Sequence, residues 1–344
     1  MTLYPHLAAS AFLGDAMAAR AIDAGLRLGL VDLLAAHAHV TMAQIVQTTG
    51  APHAGATTLV QLLENYGVVA SGGGQIALTG RFRSILPFRD YLETRLRFAD
   101  LVWPDIQSLF PALLSNVPDF MARSKTFDLF RYDRCLIVNA ANLQASRLWT
   151  ELTTGLTRYE APAALEHIPM ETAESIIDLG GNTGEFALHL CRRALQAQVT
   201  VVDLPVVCEL GREHVARAGL PDEAERIRFF PADLRAGRLP PPAELVSFKS
   251  VLHDWPEREA RELLKTGASL VTPGGRMLIF ERAPLDFRRH PFTYALAPDL
   301  AFLHFLRPEK LYAETLTELG FHIDLVRTIE LEVDFHLILA TRKK

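Results

Sequence analysis

An α/β fold with a Rossmann-like sheet is predicted for the second half of this 344-residue chain, preceded by a mainly helical module. Three observations predict it. Short β-branched runs alternate with helically spaced apolar residues from Ser175 onward. The first run passes directly into a glycine-rich turn. The second run closes on an acid about twenty residues further on, the spacing of a nucleoside-binding βαβ unit. The length suits two domains better than one, and we draw them at 1–160 and 161–344.

In the first half, Phe12, Ala16, Ala19, Ile22, Leu26, Leu30, Leu33 and Leu34 recur at helical spacing, so Ala11 to Ala36 reads as one helix or two joined near Gly25 or Gly29. Thr41 is a good N-cap for a short helix that ends at Gly50. Ala54 to Tyr66 reads as a further helix, with Leu59, Leu62 and Leu63 on its buried side. Val68 to Leu78 reads as a hairpin with a glycine-rich tip at Ser71 to Gly74. Helix, turn, helix and hairpin make a winged-helix-like pattern, which raises a DNA-binding regulator as one reading. Its recognition helix would be Ala54 to Tyr66, which has no Lys or Arg, whereas a phosphate-lined groove calls for several. A dimerisation module fits better. Residues Asp90 to Pro162 continue helical, and the dense aromatic and charged mixture of Phe127 to Asp133 reads as a lid in which Arg131 is available to a carboxylate.

The second half opens with the strand Ser175 to Leu179 and the turn Gly180-Gly181-Asn182-Thr183-Gly184. A helix through Phe186, Leu188 and Leu190 leads to the strand Val199 to Val202, closed by Asp203, whose carboxylate is placed to accept from two ribose hydroxyls. Glycines let the backbone approach a ligand closely. This much suits a nicotinamide dinucleotide as well as a sulfonium nucleoside. Two features favour the latter: the turn is not the GxGxxG of pyrophosphate binding, and Asp178 ahead of it suits a cationic ligand. Asp233, in Phe229 to Leu234, supplies an acid that can read an adenine amino group. The strand Leu245 to Lys249 then delivers Ser250-Val251-Leu252-His253-Asp254-Trp255-Pro256 to the crevice at the carboxyl ends of the strands.

Composition excludes several classes. A net charge of −5 gives no general attraction to nucleic acid or anionic membrane. Cys135, Cys191 and Cys208 have no CxxC spacing and read as buried thiols rather than disulfides or a zinc site. No apolar run reaches the roughly 18 residues of a spanning helix, and the first residues lack a signal-peptide pattern, so a cytoplasmic protein without membrane partners is expected.

These residues together resemble the plant-caffeate-type small-molecule O-methyltransferases and their bacterial natural-product relatives. The resemblance runs through the N-terminal module, the Asp178 to Gly184 turn, the strand end at Val201 to Pro205, Phe229 to Leu234, Leu252 to Glu257 and Pro273 to Glu281. It implies a Rossmann-like class I methyltransferase domain, S-adenosylmethionine as cofactor, and a homodimer formed through the N-terminal domain. The candidate cofactor-binding residues are Asp178, Gly180, Gly181, Gly184, Asp203, Leu204, Asp233, Leu234 and Lys249; the candidate catalytic residues are His253 as base with Asp254 and Glu281.

The chain departs from that family at one place. The second glutamate that flanks the family's histidine falls here on Leu306, and a family glycine falls on His304. Leucine cannot orient an imidazole or accept its charge. His253, Asp254 and His304 then offer two imidazoles and a carboxylate, a ligand set for a divalent or ferric ion such as iron or zinc. This departure resembles the bacterial 2-oxo-acid C-methyltransferases and implies metal-assisted methylation at the β-carbon of a 2-oxo acid. The alternative is metal-independent O-methylation of a phenolic or enolic molecule, with His253 as base and Glu281 behind it.

Overall fold

Ser175-Ile-Ile-Asp-Leu179 is buried along nearly its whole length, as a strand covered on both faces must be. It is the middle one of the sheet's five parallel strands, and the computed structural model describes residues 4–170 and 172–344 around it. The strands in chain order are β1 (Val40–Thr41), β2 (Val69–Gly72), β3 (Gln75–Leu78), β4 (Ser175–Leu179), β5 (Gln198–Asp203), β6 (Ile227–Pro231), β7 (Ala243–Lys249), β8 (Val271–Arg282), β9 (Phe321–Glu330) and β10 (Asp334–Arg342). The last seven form one sheet in the order β6-β5-β4-β7-β8-β10-β9. β4 to β8 pair in parallel, while β10 runs antiparallel to both β8 and β9. The chain adds β5 and β6 on one side of β4 and then returns to place β7 on the other. This reversal opens a crevice beyond the carboxyl ends of β4 and β7, where ligands of such sheets bind.

The chain divides into two compact units, residues 1–104 with 287–298, and residues 105–286 with 299–344. The second therefore includes the helices between 105 and 160 that the sequence reading groups with the first half. In the first unit Asp15 caps the helix Ala16–Arg27 by accepting from the amides of Met17 and Ala18, both at 2.8 Å. The predicted helix thus begins at Ala16 rather than Ala11, and Gly29, at φ +73°, separates it from Leu30–Ala36. Thr41 caps Met42–Thr49 in a reciprocal box with Gln44, and Gly50 ends that helix in the left-handed conformation. The helix His53–Asn65 and the hairpin of β2 and β3 follow as expected; β1 adds a third strand to that hairpin.

The second unit contains the helix Ala140–Leu165, the whole large sheet, and helices Glu185–Arg193, Pro205–Ala218, Glu257–Ser269 and Glu309–Glu318. Its core is formed by the apolar faces of β4, β7, β8 and β10 against the helices that carry Leu263, Leu264, Tyr312 and Leu316. Sequence reading did not foresee β9 or β10. All three cysteines are free and buried. No helix among the described residues is long and apolar enough to cross a membrane.

Candidate active site

Four neighbouring parallel strands bring their carboxyl ends together. β4 ends in the glycine turn, β5 ends on Asp203, β7 leads into the segment 250–255, and β8 ends on Glu281 and Arg282. Almost every residue singled out from sequence lies on one of these ends.

The cofactor side is shaped by backbone. Gly180 has φ +66°, and a Cβ there would come within 2.7 Å of the Val251 side chain. A Cβ on Gly181 would meet Asp178 Oδ2 at 2.4 Å, and Gly184 opens the helix Glu185–Arg193 at φ +79°. Both carboxylate oxygens of Asp203 accept backbone amides, from Asn182 at 2.8 Å and from Leu204 at 2.7 Å. Burial pushes the Asp203 carboxyl up to about 6 and that of Asp178 up to about 7. Asp178 receives the Ser247 hydroxyl at 2.7 Å on Oδ1, while its Oδ2 and the Asn182 Oδ1 are buried with no hydrogen-bond partner among the described residues. Buried acceptors beside a turn too close for side chains fit a cationic, donor-bearing nucleoside such as S-adenosylmethionine. Leu204 packs against the cluster that includes Trp149 and Val207, and Leu234 against the core of the sheet.

Two expected cofactor residues are engaged by other protein groups. Asp233 is held by Arg235, whose guanidinium lies 4.4 Å from the Trp255 ring centroid. Lys249 donates to Thr157 at 2.9 Å and pairs with Glu160, which in turn accepts from Arg282 at 2.7 Å. Burial lowers the Lys249 pKa against the pull of Glu160.

The other side is built around His253. Its Nδ1 lies 2.6 Å from Glu281 Oε2, and Glu281 Oε1 accepts the amides of Val251 and Leu252, each at 2.7 Å. One fully buried carboxylate thus fixes both the imidazole and the loop that carries it. Burial alone would lower the His253 pKa; the charges of Asp254 and Glu281 and the hydrogen bond to Glu281 outweigh it and raise it. For Glu281 burial pulls upward, but His253 and the two amides hold it below the usual carboxylate range. Ser250 enters the loop at φ +55°, and Arg307 donates to the carbonyls of Leu252, at 3.0 Å, and Trp255. With Nδ1 bound to Glu281, Nε2 is the nitrogen left to take a proton; it lies 3.5 Å from Asp254 Oδ1.

The proposed metal ligands do not converge, which corrects that part of the sequence reading. His304 Nε2 donates to the Leu113 carbonyl at 2.6 Å. His253 is held by Glu281, and Asp254 accepts the Tyr132 hydroxyl at 2.8 Å. Among the described residues no three His, Cys, Asp or Glu side chains are grouped to hold an ion. His253, Asp254 and His304 as placed therefore do not fit a metal centre. Leu306, at the position of the missing glutamate, is buried.

Sequence reading missed Tyr132. It chose Arg131 from the segment 127–133, but Arg131 is exposed and paired with its own neighbour Asp133. Tyr132 instead packs near Trp149 and Trp255 while its hydroxyl holds Asp254. Phe127 and Phe130 from the same segment meet Phe302, which lies edge-on to His253 at 6.4 Å between centroids. Only the density of aromatic residues in that segment signalled this in the sequence.

A family model described as an O-methyltransferase domain matches residues 138–322. The 3-hydroxy-5-methyl-1-naphthoate 3-O-methyltransferase of Streptomyces sahachiroi is 35% identical over 129 residues, 38% of this chain and 36% of that protein. The L-tyrosine C(3)-methyltransferase of Streptomyces lavendulae is 25% identical over 191 residues, 54% of this chain and 49% of that protein. Each match spans less than half the length of the curated relative. A solved O-methyltransferase family protein from Burkholderia thailandensis shares the fold with a TM-score of 0.72 at 21% identity, over 95% of this chain and 94% of that one. Since the matched model takes in more than half of the residues and all four strand ends just described, this chain belongs to the O-methyltransferase domain family.

Proposed function

We propose that this protein methylates an acidic hydroxyl of a small aromatic or enolic molecule, with S-adenosylmethionine as donor. The observation that carries the proposal is the buried pair of His253 Nδ1 and Glu281 at 2.6 Å beside the glycine turn. When bound, S-adenosylmethionine supplies a methyl group on a positively charged sulfur. His253 Nε2 takes the acceptor's proton, Glu281 stabilises the imidazolium, and Asp254 keeps a second negative charge alongside. Phe127, Phe130 and Phe302 give the histidine an apolar, planar neighbourhood suited to an aromatic acceptor. The naphthoate O-methyltransferase relative supports the same class of acceptor. The test is methyl transfer from labelled S-adenosylmethionine to a panel of hydroxynaphthoates and simple phenols. Transfer that disappears in His253→Ala supports the reading, and transfer that survives it at full rate overturns it.

A carbon acceptor is the second reading, favoured by Leu306 where the family carries a carboxylate and by the tyrosine C-methyltransferase relative. In its metal-assisted form, acting on a 2-oxo acid, it requires His253, Asp254 and His304 to gather around an ion, a grouping absent among the described residues. Methylation of 2-oxo acids that stops in EDTA and returns with added iron or zinc would select it. A homodimer formed through the N-terminal module belongs to the same proposal, and the mass in solution by light scattering checks it.

A further inference from the structure

Asn182 Oδ1 is one of the two unpartnered buried acceptors at the glycine turn, and several contacts orient the side chain that carries it. Asn182 stands in the glycine turn at φ +52°, one of two non-glycine residues with positive φ among those described. Its amide N–H is tied to Asp203 at 2.8 Å, and its side-chain Nδ2 donates to Thr153 Oγ1 at 2.6 Å. Thr153 lies on the helix Ala140–Leu165 and returns its own hydroxyl proton to that helix, at the Trp149 carbonyl, 2.9 Å away. A hydroxyl has one proton, so once that proton is committed the oxygen can only accept. It therefore selects the NH2 end of the amide and turns Oδ1 the other way. The next residue along each element repeats the contact, with Thr154 Oγ1 and Thr183 Oγ1 at 2.5 Å. Among the described residues Asn182 Oδ1 is left buried without a partner, in the turn that follows the strand carrying the unpartnered Asp178 Oδ2. An unmet buried acceptor costs free energy, and two at one strand end call for a donor from outside the chain.

We infer that Asn182 Oδ1 is a binding group for the ammonium of the cofactor's amino-acid portion, and that Thr153 is the positioning residue that sets its polarity. The inference rests on the reading that the crevice takes S-adenosylmethionine.

Calorimetric titration of the full chain tests it with two probes, S-adenosylhomocysteine, which carries the ammonium, and 5′-methylthioadenosine, which does not. Asn182→Gly keeps the left-handed turn and removes the acceptor. It should weaken S-adenosylhomocysteine about tenfold or more and leave methylthioadenosine unchanged. Thr153→Val, equal in shape but without the hydroxyl, should weaken the same probe severalfold, and Thr153→Ser should restore it. A purely structural role for Thr153 would weaken both probes alike and would not separate serine from valine. Equal loss on both probes, or none on S-adenosylhomocysteine, overturns the inference while leaving the cofactor reading in place. Failure of the unaltered protein to bind either probe overturns both.

Discussion

The two sides of the crevice are constructed by opposite means. On the cofactor side, ligand-facing shape comes from the seven consecutive residues 178–184, through left-handed glycines and missing side chains. On the acceptor side it comes from side chains far apart in the chain. Glu281 stands 28 residues from His253, Tyr132 stands 122 residues from Asp254, and Phe302 comes from the segment after the fifth parallel strand. A local backbone site tolerates little change anywhere in its few residues. A site assembled from distant side chains can alter one partner, as at Leu306, and keep the rest. The contrast suits an enzyme family with one methyl donor and many acceptors.

Breaking the acceptor side at its centre has the largest expected effect. His253→Ala should reduce methyl transfer about 100-fold or more while S-adenosylhomocysteine binds as before, read by initial rates and calorimetry. Glu281→Gln should cost about 10-fold to 100-fold in rate. It also has a signed pH signature. The base must be neutral to act, and its pKa is raised above 6.5, so the rate should climb with pH through a midpoint above 6.5. Removing the Glu281 charge removes part of what raises it, so in Glu281→Gln the midpoint of the pH–rate profile should move to lower pH.

On the cofactor side, Gly180→Ala forces a Cβ to within 2.7 Å of Val251 at a positive φ. It should weaken S-adenosylhomocysteine binding about tenfold and lower the unfolding free energy by about 1–3 kcal/mol, measured by calorimetry and denaturant titration. The smallest effect sharpens the comparison instead of breaking it. His304→Ala should change the rate less than about twofold, within the range usual for positions outside the chemistry, and EDTA treatment should leave activity intact. A large loss in either experiment would bring His304 back to the acceptor side as a metal ligand.

Legibility in the sequence follows the same division. Gly50 as a helix stop and Thr41 as a cap were readable because each acts within one turn, whereas the choice between Gly25 and Gly29 as a helix break was left to the structure, which puts it at Gly29. Asp15 as the true start of the first long helix was not, because apolar spacing continued through residues that a cap excludes. β9 and β10 escaped for another reason. Their pairing as an antiparallel ribbon beside β8 is set by partners elsewhere in the chain, which no short window displays.

What the sequence by itself determined is the strand, glycine turn, helix and acid-ended strand of residues 175–203, and with them the kind of ligand the crevice takes. Those features depend on backbone freedom and short-range spacing, which residue order specifies directly. Only the tertiary structure decided the surroundings of the histidine. It set the single carboxylate that holds both ring and loop, the tyrosine that holds Asp254, and the carbonyl that claims His304. A hydrogen bond is made or lost over a few tenths of an ångström, and that precision arises only when distant segments pack together.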